Sequence, residues 1–486
     1  MSNHDLAIVI LAAGKGTRLK SSLAKVLHRA GGRSLIEHVV RACAPLGAKQ
    51  TVVVVGHQAE EVTAQVEPLG AATVLQHPQH GTGHAMQVAR KALGRAKLAV
   101  VLAGDAPLVR AETLKALVAA HRNGNAAATV LTAVVADPSG YGRILRKAET
   151  TVAAIIEESQ LTDEQGDINE INSAIYCFSL EKLWPVLAHL KPNNKHRELY
   201  LTDSIAAMTS AGETVLPQVA ADPREILGCN TRADLAEVDR IFRERKCGAL
   251  MDAGVTIQLP ETVIVDPEVS AGEDTVVEPG VQLLGKTKIG ARCTIRTGSV
   301  LSDATLGDDV KVEPHCVVAE SRLDDRVIIG PFARLRPGNH LKPGSRIGNF
   351  VELKKSTIGE GTKAMHLTYL GDTKIGAKAN IGAGTITCNY DGFHKFPTSI
   401  GNKVFIGSDT ALVAPVRVGD GAYVAAGSII TDNVPSDALA IARGRQSNKL
   451  GWAGRKRREL AAEGHPKKKK RSHKRSKSRS SGKKRR

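Results

Sequence analysis

Between Gly401 and Asp432 an aliphatic residue returns every sixth position, at Ile406, Leu412, Val418, Val424 and Ile430, with Ile400 one step earlier. Neither the 3.6-residue period of a helix nor the two-residue period of a strand produces that spacing. A period of six marks a parallel β-helix, in which short strands stack coil upon coil and each aliphatic side chain enters a narrow shared core. The rhythm begins irregularly after Gly254 and is plain at Ile289, Ile295, Leu306, Val312 and Val318. The first half of the chain is organised differently, so the protein has at least two parts. Its 486 residues exceed the usual extent of one hydrophobic core.

From Ala7 to about Val135, short aliphatic runs alternate with amphipathic stretches. The runs Ala7–Ala12, Gln50–Val55, Ala72–Gln76, Leu98–Ala103 and Ala127–Val135 read as strands, with helices such as Ser34–Leu46 and Ala111–Arg122 between them. This predicts an α/β domain, Rossmann-like, whose parallel sheet is wrapped by helices on both faces. Ligands bind such sheets at the carboxyl ends of the strands. Two motifs fall there. Leu11-Ala12-Ala13-Gly14-Lys15-Gly16-Thr17-Arg18 follows the first strand, with Lys25 seven residues on. Its glycines allow backbone N–H groups to close on phosphate oxygens, and Lys15, Arg18 and Lys25 can offset their charge. It is neither a dinucleotide fingerprint nor a P-loop, since Leu19 stands where the first needs glycine and Gly16 where the second needs Ser or Thr. The glycines alone would also suit a plain strand-to-helix turn. In Gly104-Asp105-Ala106-Pro107, a carboxylate closes an apolar strand. It can hold a divalent cation that bridges phosphates, or simply start a turn before the proline.

Together with Gln76, Gly81-Thr82-Gly83, Gly140-Tyr141-Gly142-Arg143, Glu157, Asn172 and Asn230, in that order, these motifs resemble the sugar-nucleotide pyrophosphorylases. The chain to about residue 454 resembles the bacterial bifunctional N-acetylglucosamine-1-phosphate uridyltransferase/glucosamine-1-phosphate acetyltransferase family. The resemblance implies that Leu11, Ala12, Ala13 and Gly14 border the uridine nucleotide, that Gln76, Gly81 and Thr82 read the uracil side, and that Lys25 binds phosphate. Ala103 and Gly104 would lead into Asp105, which with Asn230 would hold Mg²⁺, while Gly140, Glu157 and Asn172 would hold the sugar. The sugar 1-phosphate would attack UTP directly, with no protein nucleophile. Five positions depart from the family pattern: Ala24 for a proline, Ala103 for a tyrosine, Ser173-Ala174 for Thr-Gly, and Met365 for a glycine.

Thr231–Leu250 reads as one helix with Leu235, Val238, Ile241 and Phe242 on a face. The expected division is a uridyltransferase domain over 1–232, a helical linker over 233–253, a left-handed β-helix acetyltransferase domain of hexapeptide repeats over 254–454, and a basic disordered tail over 455–486. A β-helix alone is a scaffold. Three segments, Arg334–Gly344, Lys354–Gly371 and Cys388–Pro397, read as breaks in the rhythm, and breaks in a solenoid gather on its binding face. The second holds His366, whose side-chain type titrates near neutrality and can take a proton from an amine. The family resemblance makes His366 the general base for acetyl transfer from acetyl-CoA to glucosamine 1-phosphate. It implies that Arg336 and Lys354 bind the sugar phosphate, that Tyr369, Asn380, Asn389 and Tyr390 complete the sugar pocket, and that Ala383, Ser408, Ala426 and Arg443 lie along acetyl-CoA. It also implies a homotrimer. A thiol nucleophile at Cys388 is the weaker reading, because no basic partner adjoins it in sequence.

The net charge of +18 is uneven. Arg455–Arg486 carries 17 Lys+Arg and 2 acidic residues of the chain's 67 and 49, which leaves 50 and 47, a net +3, for the rest. The tail has no aromatics for base stacking, so any attraction to polyanions is weak and non-specific. Seven cysteines without a Cys-x-x-Cys spacing read as reduced thiols. Met1–Asp5 has no basic leader, and the expected location is the cytoplasm. Two other readings stay open at this level: a sugar nucleotidyltransferase whose β-helix is only structural or regulatory, and a scaffold or nucleic-acid-binding protein carried by its tail.

Overall fold

The computed structural model describes residues 3–192 and 197–464. Nine strands build the first domain's sheet: β1 (Asn3–Ala12), β2 (Ala48–Val55), β3 (Ala72–Leu75), β4 (Leu98–Ala103), β5 (Ala128–Val134), β6 (Arg143–Ala148), β7 (Thr151–Ile156), β8 (Glu170–Ser179) and β9 (Val215–Val219). Their order is β9-β5-β8-β4-β1-β2-β3, with β6 and β7 forming a hairpin beside β8. Alternation along β1 explains why the sheet is covered twice. Leu6, Ile8 and Ile10 join one buried cluster with the helix Leu35–Cys43, whereas Ala7 and Val9 join another with the helix Thr82–Ala89. The five strands expected from the sequence run parallel to one another, and β8, which lies beyond them in sequence, runs antiparallel to both β4 and β5. It follows the β6–β7 hairpin and only a four-residue helix, Asp163–Gly166, so the long crossover that parallel strands need is missing there.

The linker helix spans Arg232–Asp252, and Thr231 opens it with a reciprocal cap to Asp234. It buries Val238, Ile241, Cys247 and Leu250, and half-buries Leu235 and Phe242. Gly31 N donates to Asp239 Oδ1 at 2.7 Å, and Arg33 meets Glu268 at 3.2 Å, so one turn of the first domain touches both the helix and the first coil.

Beyond it the chain forms three parallel sheets of eleven, ten and nine strands, the faces of a left-handed β-helix of hexapeptide repeats. Face one begins at Thr256–Ile257, face two at Ile264–Val265 and face three at Ser270–Ala271. Two of the three expected breaks are absent. Leu335, Leu341, Ile347, Leu353, Ile358, Ala364, Leu370, Ile375 and Ile381 all point inward at 3% exposure or less, at steps of six or five residues. Five-residue steps and the small Ala364 disguise a rhythm that the backbone keeps. Only Cys388–Pro397 is a true insertion: Asn380 pairs with Phe405, twenty-five residues on, whereas Lys363 pairs with Asn380, seventeen on. Several buried hydroxyls at the corners bond the next coil, as where Ser356 Oγ donates to Leu370 O at 2.9 Å and Thr362 Oγ1 to Gly376 O at 2.7 Å.

The helix Trp452–Ala462 runs across the boundary expected at 454, so 455–462 are helical, not disordered. Its Arg, Lys, Glu, Leu and Ala residues are good helix formers, and Lys456 pairs with Glu459 at 3.5 Å. The basic tail from His465 lies outside the described residues. Among the described residues no helix is long and apolar enough to cross a membrane.

Two buried histidines make the first domain sensitive to acid. His38 stacks on Phe242 at 3.8 Å and bonds Ala30 O at 2.8 Å, while His121 lies between the hydroxyls of Thr129 and Ser179, each at 3.0 Å. Burial pushes both imidazoles down to about 4. The unfolded chain, with histidines near 6.5, binds more protons between those values. Stability from these groups is therefore whole above pH 6.5 and is lost as pH falls towards 4, by up to about 1.4 kcal/mol per pH unit for each. Urea midpoints of the first domain should fall between pH 7 and 4.5, and fall less steeply in His38→Phe; equal slopes would count against this account.

Candidate active sites

The first site sits where β1 and β4 end. Leu11, Ala13, Gly14, Gln76, Gly81, Thr82, Ala103, Asp105, Gly140, Glu157, Asn172 and Asn230 line one cleft of about 770 Å³. Ala12 is buried within the strand behind it, and Gly104 contributes backbone, its N–H donating to Leu11 O at 2.9 Å. Gln76 donates its side-chain amide to Gly81 O at 3.0 Å, which fixes the turn into the helix Thr82–Ala89. Gly81 has φ +95°, and a Cβ there would come within 2.6 Å of Leu199 O, so no other residue fits that approach. Thr82 Oγ1 accepts from Leu201 N at 2.9 Å.

On the opposite wall, Glu157 Oε1 accepts from Thr202 Oγ1 at 3.0 Å. Burial raises the Glu157 carboxyl above its ordinary range, opposed by the Thr202 bond and reinforced by Asp203. Asn172 donates to Tyr176 OH at 2.9 Å and accepts from Ala174 N at 3.1 Å. Ala174 stands at φ +59°, a conformation that explains why the family pattern has glycine there. Ala24 keeps φ −55°, as a proline would, and its N–H donates to Gln58 Oε1.

Lys25 does not line the cleft but reaches its edge. Its ammonium pairs with Asp105 Oδ2 and donates to Asn230 Oδ1 at 2.6 Å, an oxygen that also accepts from Arg18 at 2.7 Å. A carboxylate and an amide oxygen thus converge on one cation, a donor set that fits Mg²⁺ when substrate phosphates complete the shell. Cys229 N donates to the backbone carbonyl of Asp105 at 2.9 Å, and Asp234 at the linker cap accepts from Asn230 N at 2.8 Å, so the backbone beneath both side chains is fixed. Among the described residues there is no cluster of three or more His, Cys, Asp or Glu suited to a metal. Gln79, Tyr200 and Thr202 also line the cleft, and no local sequence pattern marks them.

The second set of residues lies on the β-helix. His366 ends the strand Lys363–His366 at the corner between faces one and two, in register with Asn349 one coil earlier. His366 Nδ1 lies 3.0 Å from Asn349 Oδ1. The next coil pairs Ala364 with Ile381, and the same register sets Ala383 beyond His366. Asp409 N donates to Ala383 O and Gly427 N to Ser408 O, both at 2.7 Å. Ala383, Ser408 and Ala426 therefore continue His366's column coil by coil. Arg443 follows Ala442, whose N–H donates to Ser428 Oγ at 3.2 Å at the end of that column. Met365 turns its side chain outward, 37% exposed, and leaves the His366 ring to its Asn349 contact.

Arg336, Lys354, Tyr369, Asn389 and Tyr390 belong to face two and its far corner. Arg336 donates to Glu352 at 3.2 Å, one coil on. The Lys354 ammonium is held below its ordinary range, first by its contact with Lys395 and then by desolvation, with Asp372 opposing. Gly371 leaves room above itself: a Cβ there would lie 2.4 Å from Tyr369 OH and 2.7 Å from Asn389 Nδ2, so the two polar groups meet over bare backbone. Asn389 also donates to Asp372 at 2.6 Å. The insertion folds back as a small hairpin, Tyr390 against Lys395. Asn380 stands apart on face one, exposed and in register with Lys363 and Phe405. Cys388 is the exposed cysteine, the other six being buried. Sequence reasoning missed Asn349 and Lys395; seventeen residues separate Asn349 from His366, one coil, which was the available signal.

Residues 8–200 match the MobA-like NTP transferase domain, and residues 397–432 the bacterial transferase hexapeptide (six repeats). The chain is 50% identical over 462 residues to a protein of Koribacter versatilis named bifunctional protein GlmU, covering 94% of this chain and 98% of the relative. Proteins of the same name from Solibacter usitatus and Streptococcus agalactiae serotype III are 51% and 46% identical, again over 94% of this chain and 98% of theirs.

Proposed function

Since the chain belongs to the GlmU family of bifunctional proteins, we propose that its uridyltransferase and acetyltransferase activities occupy the two separate sites described above. It is a bifunctional transferase acting on nucleotide and sugar substrates. In this reading 1–232 carries uridylyl transfer, 233–253 links, and 254–454 carries acetyl transfer. The separation of the cleft from the His366 corner, with no residue in common, carries the proposal.

Acetyl transfer comes first. Arg336 and Lys354 hold the phosphate of glucosamine 1-phosphate, and Tyr369 and Asn389 orient the sugar. His366 Nε2 takes the proton of the amine as it attacks the thioester carbon of acetyl-CoA; a C–N bond forms, the C–S bond breaks, and the proton passes from Nε2 to the departing thiolate, which leaves as the free thiol. Ser408 or nearby backbone N–H groups donate to the developing oxyanion. No acyl-enzyme forms. The product, N-acetylglucosamine 1-phosphate, then enters the cleft beside UTP, where Glu157 and Asn172 face the sugar and Gly14, Gln76 and Thr82 the nucleotide. Its phosphate oxygen attacks the α-phosphorus, and pyrophosphate leaves with UDP-N-acetylglucosamine formed. Mg²⁺ bound at Asp105 and Asn230 would offset phosphate charge, while Lys15, Arg18 and Lys25 steady the leaving group. The open His366 corner fits a homotrimer in which a neighbour closes the second site, and the reduced thiols fit the cytoplasm.

Purified protein given glucosamine 1-phosphate, acetyl-CoA, UTP and Mg²⁺ should release thiol and pyrophosphate in equal amounts, with pyrophosphate dependent on acetyl-CoA. Pyrophosphate release without thiol release would instead favour a nucleotidyltransferase with a structural β-helix.

A further inference from the structure

Nothing in the proposed chemistry says what keeps the imidazole of His366 ready to accept a proton at one nitrogen rather than the other. Asn349 answers that. It occupies the same register position one coil below His366, its backbone carbonyl accepts Leu367 N at 3.1 Å, and its side-chain Oδ1 lies 3.0 Å from His366 Nδ1. Thr368 fastens the other side, its hydroxyl donating to His366 O at 2.7 Å. The backbone under the histidine is thus pinned from both directions. An amide oxygen only accepts, so with Oδ1 turned to the ring Nδ1 carries the hydrogen and Nε2 the lone pair.

We infer that Asn349 is a positioning residue for acetyl transfer: it holds His366 in the Nδ1–H tautomer and aims Nε2 at the substrate amine. The inference rests on His366 being the base. When Nε2 gains the amine proton the ring becomes a cation with both nitrogens protonated, and the Nδ1–H to Oδ1 bond strengthens as that charge appears. The amide thus favours the charged ring more than the resting one without carrying charge itself. Partners that orient a metal-bound histidine through its other nitrogen cost about 10- to 100-fold when removed, and a reacting histidine held in the same way is expected to lose a similar factor.

The test uses the full chain. Asn349→Ala should lower kcat for acetyl transfer by about 10- to 100-fold with KM for glucosamine 1-phosphate and acetyl-CoA within about twofold. Asn349→Asp, which keeps an acceptor oxygen in place, should restore most of the rate. Histidine-selective ¹⁵N NMR should show His366 as the Nδ1–H tautomer in the parent and as a mixture in Asn349→Ala. Equal impairment of the Ala and Asp variants would assign Asn349 to packing, and an Nε2–H tautomer in the parent would overturn the inference directly. His366→Ala separates the two levels. If it abolishes acetyl transfer while Asn349→Ala does not slow it, the positioning role alone falls; if it leaves acetyl transfer intact, the base assignment falls and takes this inference with it.

Discussion

His366→Ala is expected to lower acetyl transfer by about 10²- to 10⁴-fold, the usual contribution of a positioned general base, and to leave uridylyl transfer within about twofold. The asymmetry follows from the geometry. His366 lies at an exposed corner of the β-helix, bonded to Asn349, and none of its partners belongs to the cleft of the first domain. The side chain is not part of the inward aliphatic column, whose place in that strand is taken by Ala364 at 0% exposure, so truncation opens no cavity. Thermal midpoints should therefore stay close to the parent value. Thiol release from acetyl-CoA reads one activity, and pyrophosphate release with supplied N-acetylglucosamine 1-phosphate reads the other. Parallel loss of both in a folded variant would mean that the corner and the cleft are not independent sites.

The same geometry shows what a sequence can and cannot carry. The hexad spacing sufficed for the β-helix because every inward side chain there answers to one local rule, repeated. Reading interruptions in that spacing was less successful: Arg334–Gly344 and Lys354–Gly371 hold register, and only Cys388–Pro397 departs from it. Small residues such as Ala364 satisfy the rule without displaying it. In the first domain, strands that alternate with helices were legible, whereas β8 follows the β6–β7 hairpin without a long crossover helix and buries Ile175, Tyr176, Cys177 and Phe178 among strands far apart in sequence. The candidate cleft shows the same divide. Gly14, Asp105 and Lys25 stand in short motifs near strand ends. Tyr200 and Thr202 reach it only because 197–202 packs against the Gly81 turn, a tertiary fact with no local signature. Asn349 meets His366 as a coil-to-coil neighbour and becomes visible only once the period has been turned into a ladder, while Lys395 sits in the inserted hairpin, which folds it back against Tyr390.

Asp105→Ala should do the converse of His366→Ala. Uridylyl transfer is expected to fall at least about a hundredfold, near 2.7 kcal/mol, while acetyl transfer stays within about twofold. Asp105 supplies the only formal negative charge in the trio it makes with Lys25 and Asn230, and both its partners stay in place through other bonds: Asn230 through Asp234 and Arg18, Lys25 through Asn230. Removing it leaves a cation facing a neutral oxygen, where a divalent ion would meet repulsion instead of a carboxylate. Two measurements separate this from a loss of fold. Mn²⁺ titration followed by magnetic resonance should show weakened binding in Asp105→Ala, and Asp105→Asn, which preserves the shape but not the charge, should weaken it as well. The ion pair is largely shielded, with side-chain exposures of 15% and 20%, so the thermal midpoint of Asp105→Ala should fall while the unfolding transition stays cooperative. If Asp105→Asn bound Mn²⁺ and transferred uridylyl groups like the parent, charge at this position would be dispensable and the donor set for Mg²⁺ would have to be sought elsewhere in the cleft. If instead Asp105→Ala silenced acetyl transfer too, the linker helix that Thr231 and Asp234 cap would be the first place to look, since it packs against both domains.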